Sequence, residues 1–140
     1  MDRIDAIIMG RNTFETVMSF DCEWPYTKPV FVLSHSLNTL PEKSVGKAEL
    51  IQGSPQEVIE QLNKQGMTDI YIDGGKTAQG FLQDDLVDEM VITTIPILLG
   101  GGLPLFGHLA SPIKFNLSKS KVYLDSLVQN HYTKTPHKIL

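Results

Sequence analysis

With 140 residues the chain is long enough for one domain with a core of its own and too short for two. Apolar residues at 41% and charged residues at 20%, with signs interspersed, describe a folded globular protein and exclude disorder; the net charge of −4 excludes a general attraction to nucleic acid or an anionic membrane. Cys22 is the only cysteine, which excludes an internal disulfide and a cysteine metal cage. No apolar run approaches the roughly twenty residues of a membrane span, and the charged start Met1-Asp2-Arg3-Ile4-Asp5 does not read as a signal peptide, so a cytoplasmic location is expected.

In chain order, Ala6-Ile7-Ile8-Met9 reads as a short strand buried on both faces. It breaks at Gly10-Arg11. Asn12 to Met18 then reads as a helix with Phe14, Val17 and Met18 on one side, and Asn12 or Thr13 can cap it. Cys22-Glu23-Trp24-Pro25-Tyr26 is loop-like, because Pro25 and Pro29 forbid a helix through it. Val30-Phe31-Val32-Leu33 is a second buried strand ending in Ser34-His35-Ser36, residues 37–47 are turn-rich, and Glu49-Leu50-Ile51 is a short third strand.

Ser54-Pro55-Gln56-Glu57 is a capping box with proline at the first helical position. The helix it opens puts Val58, Ile59 and Leu62 on one face and closes at Gly66. A fourth strand, Ile70-Tyr71-Ile72, runs through Asp73-Gly74-Gly75 into a helix from Lys76 to Gln83. Alternating strands and helices imply parallel pairing with right-handed crossovers. Asp84, Asp85, Asp88 and Glu89 read as a solvated helix end and loop, not a metal site. Met90–Leu99 is a strand-rich run bent at Pro96. Two further strands, about Lys114–Leu124 and Leu127–Tyr132, form a hairpin across Asp125-Ser126, with a polar tail from Thr133 to Leu140.

The chain is organised around the fourth strand and its glycine doublet. A strand passing through glycines into a helix lets a backbone approach an anion, since no Cβ holds the ligand off and the first-turn N–H groups point at it. Lys76 adds a positive charge there, and Gly10-Arg11 repeats the arrangement. An ordinary tight turn is the plainer reading of either stretch. Neither common nucleotide motif is present: a P-loop ending at Gly75-Lys76-Thr77 requires glycine where Ile70 stands, and G-x-G-x-x-G from Gly100 requires glycine at Leu105.

Several stretches together carry a family resemblance. Met9-Gly10-Arg11-Asn12-Thr13-Phe14-Glu15, Val32-Leu33-Ser34 and Tyr71-Ile72-Asp73-Gly74-Gly75 through Phe81-Leu82 resemble successive pieces of dihydrofolate reductases. Asp88 to Thr93 with Ile97-Leu98-Leu99-Gly100-Gly101-Gly102-Leu103-Pro104-Leu105-Phe106 is closer to the reductase domain at the C-terminus of the bifunctional riboflavin-biosynthesis deaminase/reductase. Leu127 to Tyr132 is similar to the end of its small stand-alone homologues. The resemblance implies an α/β fold, a dihydrofolate reductase-like three-layer sandwich with a mostly parallel central sheet and a C-terminal antiparallel hairpin. Residues 1–132 would form one N-terminally truncated domain, with 133–140 as a tail.

By the same resemblance the expected activity is NADPH-dependent reduction of a pyrimidine- or pterin-like small molecule, similar to the 5-amino-6-(5-phosphoribosylamino)uracil reductase, by a homodimer. Gly74, Gly75, Lys76, Thr77 and Ala78 would hold the pyrophosphate, with Asp73 beside them among the cofactor-binding residues, near the place of the family's catalytic acid. Gly10, Arg11, Asn12 and Thr13 would sit at the second helix N-terminus, and Arg11, Ser34 and His35 would meet the adenosine 2′-phosphate. Thr93 matches a pocket threonine near the substrate. Plainer readings stand beside these: Thr13 as a cap, His35 as a surface residue, Thr93 as a strand filler and Asp73 as a turn residue. The family's leading central strand, mobile loop and most of the first helix have no counterpart here, and the catalytic acid is unknown. A non-catalytic homo-oligomeric remnant and a dihydrofolate reductase proper remain as alternatives, and no metal is expected.

Overall fold

A run without polar residues has no side to turn to water, and Ala6-Ile7-Ile8-Met9 is buried accordingly. In the computed structural model, which describes residues 3–19, 24–34 and 48–134, it forms β1 (Ala6–Gly10) inside a parallel sheet. On one side β1 pairs with β2 (Val30–Leu33), beyond which lies β3 (Ala48–Ile51). On the other side it pairs with β4 (Ile70–Asp73), in a register that sets Ile7 beside Tyr71 and Met9 beside Asp73. The order is β3-β2-β1-β4. The chain divides into two compact units, Met1–Asp84 and Asp85–Leu140, and this sheet belongs to the first.

Helix α1 (Arg11–Ser19) follows β1, α2 (Pro55–Lys64) follows β3 and α3 (Gly75–Gln83) follows β4. Alternation along the strands sorts the core. Ile7, Met9, Val30 and Val32 pack with Phe14 of α1, and Trp24 and Tyr26 lie against that cluster. The intervening Ile8 and Phe31 are buried on the other face, where α2 and α3 bury Val58, Leu62, Phe81 and Leu82. The chain steps one way from β1 to β2 and the opposite way from β3 to β4, so right-handed crossovers put α1 and α2 on opposite faces. Helices α2 and α3 touch: a Cβ on Gly80 would stand 3.9 Å from Cγ of Pro55.

The expected capping box is present, with Ser54 Oγ accepting from Glu57 N at 3.2 Å and Glu57 Oε1 accepting from Ser54 N at 2.9 Å. Glu57 in the first turn and Lys64 in the last complement the helix dipole. Gly66, at φ +86°, ends α2 in a paired turn, Gly66 N donating to Asn63 O and Met67 N to Leu62 O.

One stabilising device lacked any signal in the chain-order reading. Asp5 Oδ2 accepts hydrogen bonds from Thr68 N, Thr68 Oγ1 and Asp69 N at 2.9, 3.3 and 3.0 Å, and Asp5 N donates to Asp69 O at 2.7 Å. The carboxylate thus clips the start of β1 to the segment entering β4. The backbone donors of Asp69 and Thr68 hold its pKa below the ordinary value, with a smaller pull from Lys28. A carboxyl with a depressed folded pKa adds stability that is complete above its unfolded pKa and is lost as pH falls through the folded one. Denaturation midpoints should therefore decline below about pH 4, and Asp5→Asn should flatten that decline while lowering stability at pH 7. An unaltered acid limb in Asp5→Asn would remove the clip from this role.

The second unit holds β5 (Glu89–Thr94), β6 (Phe115–Tyr123) and β7 (Leu127–Lys134) in an antiparallel sheet of order β5-β7-β6. The expected hairpin is thus two strands of three. The strand run expected to Leu99 stops at Thr94, because Pro96 has no N–H for a ladder and Ile97 N turns back to Ile95 O at 2.7 Å. The hairpin turns on Leu124 and Asp125, both with positive φ, closed by Ser126 N donating to Tyr123 O at 3.0 Å. Thr133 and Lys134, expected in the tail, are strand residues. Thr133 and Lys134 still pair in β7, Lys134 Nζ meets Asp85 Oδ1 at 3.0 Å, and its N donates to Asp88 O. No described residue of this unit is buried. The outer edge of β6 is blunted by a bulge between Leu117 and Lys119 and by Lys119 and Lys121. Among the described residues, no strand pairs with the outer edge of β5 or of β4. No helix among them is long and apolar enough to cross a membrane.

Candidate functional site

Strands β1 and β4 are neighbours whose helices leave toward opposite faces, which opens a crevice past their carboxyl ends. Such a switch point is where parallel α/β sheets bind ligands. The two turns that line it are Gly10 with the first turn of α1, and Gly74-Gly75 with the first turn of α3.

These turns interlock. A Cβ on Gly10 would collide with Oγ1 of Thr77, and one on Gly74 would stand 2.6 Å from Oγ1 of Thr13. Each glycine therefore makes room for the threonine of the opposite helix, and the close approach first read as room for a ligand is partly room for these hydroxyls. Gly74 also carries φ +103°, a conformation other residues rarely take. Gly75 differs from both: it has no positive φ, and a Cβ there would have nothing within 4 Å. Its side faces open space.

The helix starts at this crevice also differ from α2. Gly74 caps α3 with no side-chain hydrogen bond, and Ala78 N already donates to Gly74 O at 2.9 Å. The N–H groups of Gly75, Lys76 and Thr77 precede that first bond; Ala78, expected with them, has its donor engaged. Neither α1 nor α3 has an acid in its first turn, yet Arg11 and Lys76 stand there against the helix dipole. Cations at two helix N-termini oppose stability and suit an anion.

The other expected residues are placed as follows. Arg11 Nε pairs with Glu15 Oε1 at 2.8 Å on the exposed side of α1. The Asn12 carbonyl accepts from Thr16 Oγ1 at 2.9 Å. Thr13 caps nothing among the described residues. Ser34 directly follows β2 but is buried, with its N–H on Ile51 O at 3.4 Å. His35 lies outside the described residues. Thr93, in β5 of the second unit, accepts at Oγ1 from Gln129 Nε2 at 3.2 Å across the strand pair.

Asp73 is no turn residue. It is the last residue of β4, and its only side-chain hydrogen bond among the described residues comes from Tyr26 Oη, at 3.4 Å to Oδ2. Tyr26 in turn meets Trp24 edge-on at 5.1 Å between ring centres, and Trp24 meets Phe14 at 6.4 Å. Burial first, then the Asp73 charge and hydrogen bond, raise the Tyr26 pKa; burial and the same charge raise that of Tyr71. Both phenols stay protonated donors at neutral pH. Sequence reasoning read Trp24-Pro25-Tyr26 as loop. The available signal was two aromatic residues around a proline just ahead of a buried strand, a spacing that packs rings beside a sheet.

The chain matches the model of the RibD C-terminal domain over residues 1–128. It is 31% identical over 133 residues to the uncharacterized protein YwjB of Bacillus subtilis strain 168, covering 94% of this chain and 74% of that protein. A protein of Shewanella sp. PV-4 with an inferred role in riboflavin biosynthesis has a crystal structure that superposes with a TM-score of 0.93 at 52% identity, covering 96% of this chain and 76% of that one. The Thermotoga maritima diaminohydroxyphosphoribosylaminopyrimidine deaminase/5-amino-6-(5-phosphoribosylamino)uracil reductase shares the fold, with a TM-score of 0.70 at 14% identity; this chain spans 46% of it. The chain thus belongs to the RibD C-terminal domain family.

Proposed function

We propose that the chain is an NADPH-dependent reductase of a pyrimidine- or pterin-like small molecule, with NADPH seated across the Gly10 and Gly74-Gly75 turns. One observation carries the reading. The helices at the switch point carry Arg11 and Lys76 and no acid in their first turns, and α3 has no side-chain cap, whereas α2 keeps all the ordinary stabilising devices. A pyrophosphate would complete the uncapped turn of α3, with the hydroxyls of Thr13 and Thr77, unbonded among the described residues, beside it. Arg11 would exchange Glu15 for the 2′-phosphate. An exposed pair at i, i+4 is itself worth only about 0.3–0.5 kcal/mol.

Bound there, the nicotinamide supplies the hydride; the chain's part is to align the two rings and exclude water. Asp73 is better suited to the substrate than to the cofactor, because a carboxylate beside a pyrophosphate is repelled while an N–H donor is not. The same reading includes a cytoplasmic homodimer, supported by the exposed apolar side chains of Leu98, Leu99 and Leu103.

NADPH at a hundredfold excess over its Kd should stabilise the chain by about 2.7 kcal/mol in thermal melts. Arg11→Ala should weaken NADPH about tenfold or more and NADH at most about twofold. Sedimentation of the same sample should show twice the 15.6 kDa chain mass. Equal losses for both cofactors would remove Arg11 from the 2′-phosphate, and no stabilisation by either would favour a non-catalytic remnant.

A further inference from the structure

Resting on the reductase reading, we propose that Tyr26 is a positioning residue that holds Asp73 so that its carboxylate accepts an N–H of the pyrimidine-like substrate. Three observations converge. Asp73 ends β4 in register with Met9, so it stands at the carboxyl edge of the sheet, next to the Gly74 turn. The carboxylate receives Tyr26 on Oδ2, while Oδ1 has no hydrogen bond from the described residues. Last, Tyr26 is itself braced: its ring packs on Trp24, which packs on the fully buried Phe14.

The geometry divides the work between two oxygens. An ionised carboxylate only accepts hydrogen bonds, and it has about four acceptor sites on two oxygens. One phenol donor restricts its rotation about χ2 and leaves Oδ1 without a hydrogen bond from the described residues. The 3.4 Å separation is longer than an ordinary O–H···O bond, and the proposal requires it to shorten when the substrate binds. Tyr71 is two residues earlier on the same face of β4, and the Asp73 charge acts on it as well. A substrate ring entering here meets one carboxylate flanked by two neutral phenols. That environment selects an amino or imino group and disfavours a phosphate.

The plainer reading is that Tyr26 merely ties the segment before β2 to β4. The two readings separate in binding measurements on the full chain, with 5-amino-6-(5-phosphoribosylamino)uracil as probe, by calorimetry in the presence of NADP+, which fills the cofactor seat without reducing the probe. Asp73→Asn should weaken the uracil by about tenfold or more, and Tyr26→Phe by about fivefold, with NADPH affinity within about twofold in each. Tyr26→Phe added to Asp73→Asn should have almost no further effect, because the phenol acts through the carboxylate. A purely structural tie predicts equal losses for NADPH and uracil, and full additivity; either result overturns the assignment. Uracil binding unchanged in both single variants also overturns it and leaves the reductase reading intact. No uracil binding by the unaltered chain overturns both.

Discussion

Gly74→Ala should destabilise the chain by about 2–5 kcal/mol, and Gly75→Ala, one residue on, should leave it as stable or slightly more so. The difference follows from what each missing Cβ would meet. At Gly74 the backbone sits at φ +103°, which strains any other residue, and the new methyl would lie 2.6 Å from Oγ1 of Thr13. Thr13 is in the first turn of α1, whose next residue, Phe14, is buried, so the hydroxyl cannot retreat without moving the helix. At Gly75 there is neither strain nor a neighbour within 4 Å, and alanine is the better helix former. Folding alone therefore gives no reason for glycine at 75. If pyrophosphate rests on this turn, the methyl of Gly75→Ala occupies its place, and NADPH affinity should fall by more than about tenfold while the melting temperature of the free chain holds. Urea denaturation of both variants, with an NADPH titration of Gly75→Ala, checks the pair. Unchanged NADPH affinity in Gly75→Ala would move the phosphate off α3.

The contrast between these two adjacent glycines marks how far the sequence could be read. The elements of the first unit were legible because their signals are local. Ala6–Met9 has no polar face, Ser54 to Glu57 forms its cap within four residues, and Gly66 ends a helix by its own backbone freedom. The doublet was legible as a turn, but the division of labour within it was not. Gly74 answers to Thr13, sixty-one residues earlier, and Gly10 to Thr77; contacts of that kind leave no trace in local composition. The same holds for Asp5 with Thr68 and for Tyr26 with Asp73, each a polar pair joined only when β1 and β4 come together. In the second unit the strands were legible as strand-rich runs and as a hairpin turn at Asp125-Ser126. The end of β5 at Thr94 depended on Pro96, and the run was carried too far because the apolar residues after it resemble strand while lying exposed.

The largest single loss should come from Phe14→Ala, at about 3–5 kcal/mol, enough to remove a third or more of the stability of an ordinary domain. Phe14 is 1% exposed and is the one residue of α1 that is fully buried, packed against Ile7, Met9, Val30 and Val32. A backbone already committed to β1 and β2 cannot collapse into the space left by the ring, so most of the cavity remains. The ring also supplies the edge contact to Trp24, worth about 0.5–1.5 kcal/mol beyond its buried area. Phe14→Leu keeps most of the volume and should cost about 1 kcal/mol. Trp24 is the only tryptophan, so its fluorescence during denaturation reports both the midpoint and the loss of its neighbour. Phe14, Trp24, Tyr26 and Asp73 form a continuous line from the core of the first unit to the rim of the crevice. The cavity should therefore reach the site: below its melting temperature, Phe14→Ala should weaken the uracil probe, through Tyr26 and Asp73, and NADPH as well, through the first turn of α1 that Phe14 anchors. A loss of less than about 1 kcal/mol, with Trp24 emission unchanged, would show that α1 is held to the sheet by something other than this ring.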